Sequence, residues 1–340
     1  MSKDDSLFLK GIAILLLLFH HNPFDSVFGE VLQSGARVCV WIFAFISAYG
    51  FTLQVRDRYE KKPFHFIFKR VVLLYSLMWF FYLFNLITEI ILNPHGIIGY
   101  FKLSVFNLPL DMLNIPSLFG KLEVGSYWYV NFLLVVIVLF PLLYFLAKKL
   151  SWFSVPLVMA VLTISPYKFP FIHGGNLTYY ILIVMLGILF AQKDVFGALS
   201  KIKGKKTWLV LIAGLATLVP LLILRNMFLP EVYDKWYWGL GPFSAAITIV
   251  IVLMVFLCRT DNKVTKLIQT LGKYSGNMYF SQGFFYNILV FTLPFQNEFV
   301  SFITCFIYSL AISILVEIVK KNTNYNENVR KLIKKILKEA

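Results

Sequence analysis

The chain has 340 residues, of which 59% are hydrophobic and only 14% charged. A soluble domain carries about 25% charged residues, so this composition excludes an ordinary globular enzyme; the apolar excess arrives in long runs, which means a polytopic membrane protein. The formal charge of +15 is read as lysine and arginine gathered in cytoplasmic loops, and no nucleic-acid partner is expected.

Ten segments are apolar enough to be read as spans: residues 7–21, 34–53, 71–92, 127–147, 153–164, 177–191, 208–224, 242–257, 275–293 and 299–319. The sequence therefore predicts an all-α fold, a polytopic integral membrane helical bundle of about ten transmembrane helices. The first segment lacks a small-residue cleavage site and further spans follow it, so it is read as retained. Residues 103–113 are apolar but too short to span and read as interfacial. The fifth and sixth segments are short for a hydrocarbon core of about 30 Å, and are expected to extend into polar neighbours or to border a cavity.

Placing both termini in the cytoplasm puts 26 of the 32 Lys and Arg residues inside, leaving Arg37, Lys102, Lys121, Lys168, Arg225 and Lys235 outside. An even number of spans follows, in a multi-pass protein of the cell membrane. Residues 1–320 read as one transmembrane domain and 321–340 as a basic cytoplasmic tail. Val329, Ile333, Ile336 and Leu337 share one side of that tail, which is expected to lie along the anionic inner leaflet. The sequence displays no internal repeat and no low-complexity region. Cys39, Cys258 and Cys305 sit in apolar runs without CxxC or metal-ligand spacing, so small buried thiols are expected, with no disulfide framework and no metal site.

The first segment carries the most chemistry. Lys10 and His21 are eleven residues apart, close to three helical turns, so they share a face about 16 Å apart along the axis, while His20 points about 80° away. Ionisable groups inside a membrane helix are costly and usually face a polar cavity. In the topology above, Lys10 lies near the inner mouth and His21 toward the outer half. Such an arrangement suits a donor that keeps its phosphates in the cytoplasm and extends a thin reactive arm into the bilayer, which is the shape of acyl-coenzyme A. The alternative places both histidines at the outer headgroup level, because Pro23 and Asp25 follow directly.

Several stretches together resemble the membrane acyltransferase-3 family. The first is Lys10, ten residues, then His21, similar to the family's Arg-x10-His, with charge kept but the guanidinium fork lost. The second is Ile42 to Leu53, similar to Phe-Phe-x-x-Ser-Gly, with Ser47 kept and Ala48 in the glycine position. Phe68, Lys69 and Arg70 resemble the start of Arg-Arg-x-x-Arg-x-x-Pro, where Leu73 and Ser76 replace the later two residues. Ser126 to Asn131 followed by Pro141, Tyr180 to Gly187, and Leu271 to Gln282 are similar to the remaining elements, with Gln282 standing in place of a His.

The resemblance implies transfer of an acyl group, usually acetyl from acetyl-coenzyme A, to a hydroxyl of a cell-envelope glycan. It implies His21, with His20 beside it, as catalytic base or acyl carrier, since an imidazole is poised to take a hydroxyl proton near neutral pH. Lys10, Lys69 and Arg70 would hold the coenzyme phosphates. Ser47, Tyr49, Trp128 and Gln282 would contact the acceptor or the developing oxyanion. Each has a plainer reading. Lys69 and Arg70 belong to a loop made basic by topology; Ser47 can bond back to its own helix; Trp128 and Tyr129 can anchor at the membrane boundary; and Gln282 can bond a neighbouring helix. A transporter or flippase of a lipid-linked sugar would share the composition, though the sequence lacks the paired, broken helices common in such proteins. A family member that binds without turnover is the third possibility, because Lys10, Leu73 and Gln282 depart from the family's pattern. The sequence does not speak to oligomeric state.

Overall fold

The computed structural model describes residues 1–22, 33, 35–92, 108–115, 128–164, 177–202, 207–232, 237–292 and 298–338. Among them the regular structure is helical, with no strand. In chain order the elements are α1 (Lys3–His21), α2 (Val38–Gln54), α3 (Pro63–Leu92), the five-residue α4 (Leu108–Met112), α5 (Trp128–Leu150) and α6 (Ser154–Ile164). There follow α7 (Leu177–Gln192), α8 (Val195–Ser200), α9 (Thr207–Val232), α10 (Tyr237–Cys258), α11 (Lys263–Thr292), α12 (Glu298–Asn322) and α13 (Tyr325–Leu337).

Over most of its described residues, each of the ten expected spans lies on a helix, the second being interrupted by a turn at Arg37. Five stretches are long and apolar enough to cross a membrane: Val38–Tyr59, Pro63–Phe84, Trp128–Val161, Thr207–Leu224 and Glu298–Asn322. Tyr180–Gln192 and Pro242–Cys258 are shorter apolar helices. The pair α1 and α11 falls outside both groups because its residues are mixed. The start of α1 carries Lys3, Asp4, Asp5 and Lys10, and α11 is punctuated by Lys273, Asn277 and Gln282. Of the interfacial segment expected over residues 103–113, only 108–113 lie within the described residues, and 108–112 form the short α4.

Local chemistry explains how α1 starts. Ser2 is an N-cap whose hydroxyl accepts the Asp5 N–H, while the Asp5 carboxylate accepts the Ser2 N–H at 2.9 Å, a reciprocal capping box. Asp5 is buried, and Arg259 at the end of α10 pairs with it at 2.9 Å. The charge is thus fixed to a second helix rather than left alone in a desolvated place.

Glycines set the closest packing. A Cβ on Gly11 would collide with the Ile268 carbonyl, and one on Gly272 with the Leu7 carbonyl, so α1 and α11 touch backbone to backbone. Small residues allow this kind of approach between membrane helices. Gly187 does the same for α7 against α2, where an added Cβ would lie 2.7 Å from the Phe45 carbonyl. Around these seams lies an aromatic core in which Phe45, Phe190 and Phe196 meet edge to face, as Phe51 does with both Phe66 and Phe140. At the other extreme, none of the residues 207–224 of α9 is buried. Leu209, Ile212, Leu215, Val219 and Ile223 face outward, as a lipid-contacting helix requires, while Val210, Leu218, Leu221 and Leu222 pack against the core.

Cys39 and Cys305 are fully buried, and Cys258 is partly covered with its Sγ 3.9 Å from the Thr207 carbonyl. The tail forms α13 and docks on the bundle. Tyr325 donates its hydroxyl to the Ser76 carbonyl of α3 at 2.7 Å, its ring meets Phe80, and Ile333 is 2% exposed. Ile333 therefore turns into the protein, while Leu332 and Ile336 stay half exposed on the outward side.

Candidate functional site

Three groups of polar residues stand out in this apolar chain. The first lines a cavity of about 930 Å³ between the end of α2, the start of α3 and the face of α13. The path from α2 matters here, because Val55–Tyr59 form a π-helical turn. Its extra residue per turn changes the phase of the helix, a distortion often found at functional sites, and Asp57, Arg58 and Tyr59 line the cavity. Lys62 follows, α3 adds Lys69 and Arg70, and α13 adds Arg330, Lys334 and Lys338. Asp57, the one acid in that lining among the described residues, is engaged by Arg56 at 3.0 Å. Seven cations against one engaged carboxylate make a concave surface of strongly positive potential.

The two predicted cations of α3 are held by aromatic rings. Lys69 donates to the Tyr59 hydroxyl at 2.7 Å and lies 5.2 Å from the centre of the same ring. The Arg70 guanidinium stacks 4.6 Å from the Phe51 ring, and its Nε has no hydrogen-bond partner. Rings orient these cations without neutralising them. Lys10, half buried on α1, is close enough to Arg70 for their charges to repel. The three residues expected to grip phosphates are therefore neighbours, although Lys10 does not itself line the cavity.

A smaller cavity of about 250 Å³ lies on the other side of Leu73 and is lined by Ser76, Lys273, Asn277, Glu317 and Lys320. Here the polar groups satisfy one another. Lys320 donates to Asn277 Oδ1 at 2.9 Å, and Asn277 Nδ2 donates to Glu317 at 2.8 Å. Tyr325 closes one edge; burial pushes its phenol above the ordinary range.

The second group is at the far end of α1. The Nδ1 of His20 lies 3.1 Å from the Gln33 carbonyl, and Gln33 Nε2 donates to the carbonyls of His20 and Asn22 at 2.8 and 3.0 Å. One side chain thus caps the last carbonyls of α1, which have no partner within the helix. With its own carbonyl the same residue meets the imidazole, and a proton on Nδ1 would leave Nε2 as the acceptor. Asn22 is buried and donates to the Glu298 carbonyl at 2.9 Å, tying this end to α12. His21 is exposed, with its ring 5.2 Å from that of His20.

The third group lies between. Tyr129 on α5 is buried beside Ser47 of α2, without an aligned hydrogen bond between the two hydroxyls, and its ring meets Tyr279 of α11 at 5.6 Å. Trp128 packs against Tyr129 and Tyr180. Gln282 is 3% exposed with Oε1 unpartnered, and Asn131 is fully buried with neither amide atom bonded. An unpaired buried polar group costs about 1–3 kcal/mol, so such groups call for an explanation. Tyr49 does not join Ser47. Its hydroxyl accepts the Met1 amino group at 3.0 Å and its ring meets Phe196. Two residues apart on a helix is about 200° of rotation, which sends the two side chains to different faces.

Sequence reasoning missed Asn131, Gln33 and the α13 cations as site residues. For α13 a signal existed: Arg330, Lys334 and Lys338 recur every four residues and so share a face. Among the described residues, no group of three or more His, Cys, Asp or Glu could hold a metal ion. Compared with known proteins, residues 8–318 match the acyltransferase-3 family, described as an acyltransferase domain. The curated proteins and the solved structures gave no match.

Proposed function

The chain belongs to the acyltransferase-3 family, and from that premise we propose that it is an integral membrane O-acyltransferase acting on surface carbohydrate. It moves an acyl group, acetyl foremost, from acyl-coenzyme A to a hydroxyl of a cell-surface polysaccharide or its lipid-linked precursor. In this reading both termini lie in the cytoplasm and about ten helices cross the cell membrane. The observation that carries the donor assignment is the cavity in which Lys69 and Arg70 stand among seven cations, beside Lys10 on the helix that leads to the histidines. A polyphosphate with a long thin arm suits that arrangement.

The chemistry needs a base near the thioester. His21, or His20 beside it, takes the proton of the acceptor hydroxyl as its oxygen bonds to the thioester carbonyl carbon. The tetrahedral intermediate collapses with cleavage of the C–S bond, and the imidazolium returns the proton to the departing thiolate. A two-step route, with the acyl group resting on His21 before transfer, uses the same residues. In this reading Ser47 and its neighbour Tyr129 donate to the developing oxyanion. Trp128 and Gln282 serve the acceptor side.

The test is transfer of label from radiolabelled acetyl-coenzyme A to glycan in membranes holding the wild-type chain or His21→Ala. Label should enter an alkali-labile glycan ester with the wild type and fall by about a hundredfold or more with the variant. Glycan ester content with and without the gene should follow the same pattern. Undiminished transport of lipid-linked sugar by His21→Ala, with no ester formed by either protein, would instead identify a flippase.

A further inference from the structure

We propose that α13 forms one wall of the donor site, with Arg330, Lys334 and Lys338 binding the 3′-phosphorylated nucleotide end of the coenzyme. This rests on the reading of the donor as acyl-coenzyme A. Arg330 and Lys334 lie at i and i+4, about 40° apart around the helix axis, Lys338 follows directly after the helix end, and all three line the 930 Å³ cavity. The wall is anchored and not merely adjacent. Tyr325 holds the start of α13 to the Ser76 carbonyl, and Ile333, between the cations, is buried in the same lining. The acid of this helix, Glu327, is paired with Lys331 at 2.9 Å, and neither residue lines the cavity.

Charge and size select the ligand chemistry. A single phosphodiester headgroup brings about one negative charge, less than a lining with seven cations and one acid attracts. A coenzyme carries a pyrophosphate and a separate phosphate on the ribose. Its two ends are told apart by position. Arg70, next to Lys69, neighbours Lys10 on the helix that continues to the histidines, so the pyrophosphate beside the thioester arm belongs with these cations. The nucleotide end then meets the opposite wall, α13.

Calorimetric titration of the full-length protein in nanodiscs of zwitterionic lipid, with coenzyme A and with 3′-dephospho-coenzyme A, tests this. The wild type should favour coenzyme A by about tenfold. Lys334→Ala/Lys338→Ala should lose that preference, and Arg330→Gln should reduce it. Lys331→Ala/Lys335→Ala removes the same charge from positions outside the lining and should keep it. Thermal midpoints verify that each variant folds. Retention of the preference in Lys334→Ala/Lys338→Ala, or equal losses in both double variants, would overturn the proposal. So would a cavity in which phosphatidylglycerol nanodiscs displace coenzyme A while Lys334→Ala/Lys338→Ala leaves its affinity untouched in zwitterionic ones, because that identifies a headgroup site. A wild type that binds neither nucleotide refutes the donor reading itself, a separate result.

Discussion

The two ends of α1 are held in opposite ways. At the inner end of the proposed topology, Lys10 sits near Arg70 beside a cavity of like charges whose lining acid is already engaged. At the far end, imidazole, amide and carbonyl groups meet one another through Gln33, Asn22 and Glu298, and no ion pair is used among these contacts. The difference teaches how a membrane enzyme can divide its labour. Under the proposed function, a cation-rich cavity attracts the anionic donor, whereas a hydrogen-bonded end orients an imidazole for proton transfer without requiring a buried ion pair.

The sharpest way to test that division is to change the far end alone. His21→Ala should lower kcat by about 10² or more and leave coenzyme A affinity unchanged, measured by initial rates at saturating donor and by calorimetry. A larger loss from His20→Ala would move the base to the residue that Gln33 orients. Next comes the seam between the ends. Gly272→Val places a side chain against the Leu7 carbonyl, and overpacking of this kind costs about 1–3 kcal/mol. The thermal midpoint should fall, and turnover and donor affinity should fall together, because α1 carries both ends.

Changing the inner end alone should give the reverse of the histidine result. Arg70→Gln should raise KM for the acyl donor by about tenfold with kcat little altered, and moderate salt should weaken the wild type more than the variant. The smallest effect is expected at Tyr325. Burial raises its folded pKa, so its contribution to docking α13 is complete below the ordinary phenol pKa of about 10 and is lost as pH rises through the folded value. Tyr325→Phe removes one hydrogen bond, worth about 1 kcal/mol. Proteolysis of the tail should quicken in that variant at neutral pH, and in the wild type only above pH of about 10.

Hydropathy made the helices legible, and helical phase made Lys10 and His21 a pair worth singling out. Both signals are local. What escaped depends on contacts between residues distant in the chain. Arg330, Lys334 and Lys338 looked like a surface tail because nothing near them in sequence reveals that Ile333 and Tyr325 dock α13 on α3. Gly11 and Gly272 lie more than 250 residues apart, so neither alone indicates that the two backbones touch. Spacing alone indicates that Ser47 and Tyr49, two residues apart on α2, fall on different faces of the helix. Leu73 shows how a departure from the family's pattern acquires meaning from the fold. It is apolar where the resembling element has a cation, yet it lines the same cavity into which α13 brings three.

The three thiols carry a practical consequence. With Cys39 and Cys305 sealed inside and Cys258 half covered, a Cys258→Ser chain offers a membrane-impermeant maleimide no open target of its own. A reporter cysteine introduced at an exposed polar position such as Lys331 or Lys148 would then be modified from one side of a sealed vesicle alone. The sidedness of every helix becomes readable one position at a time.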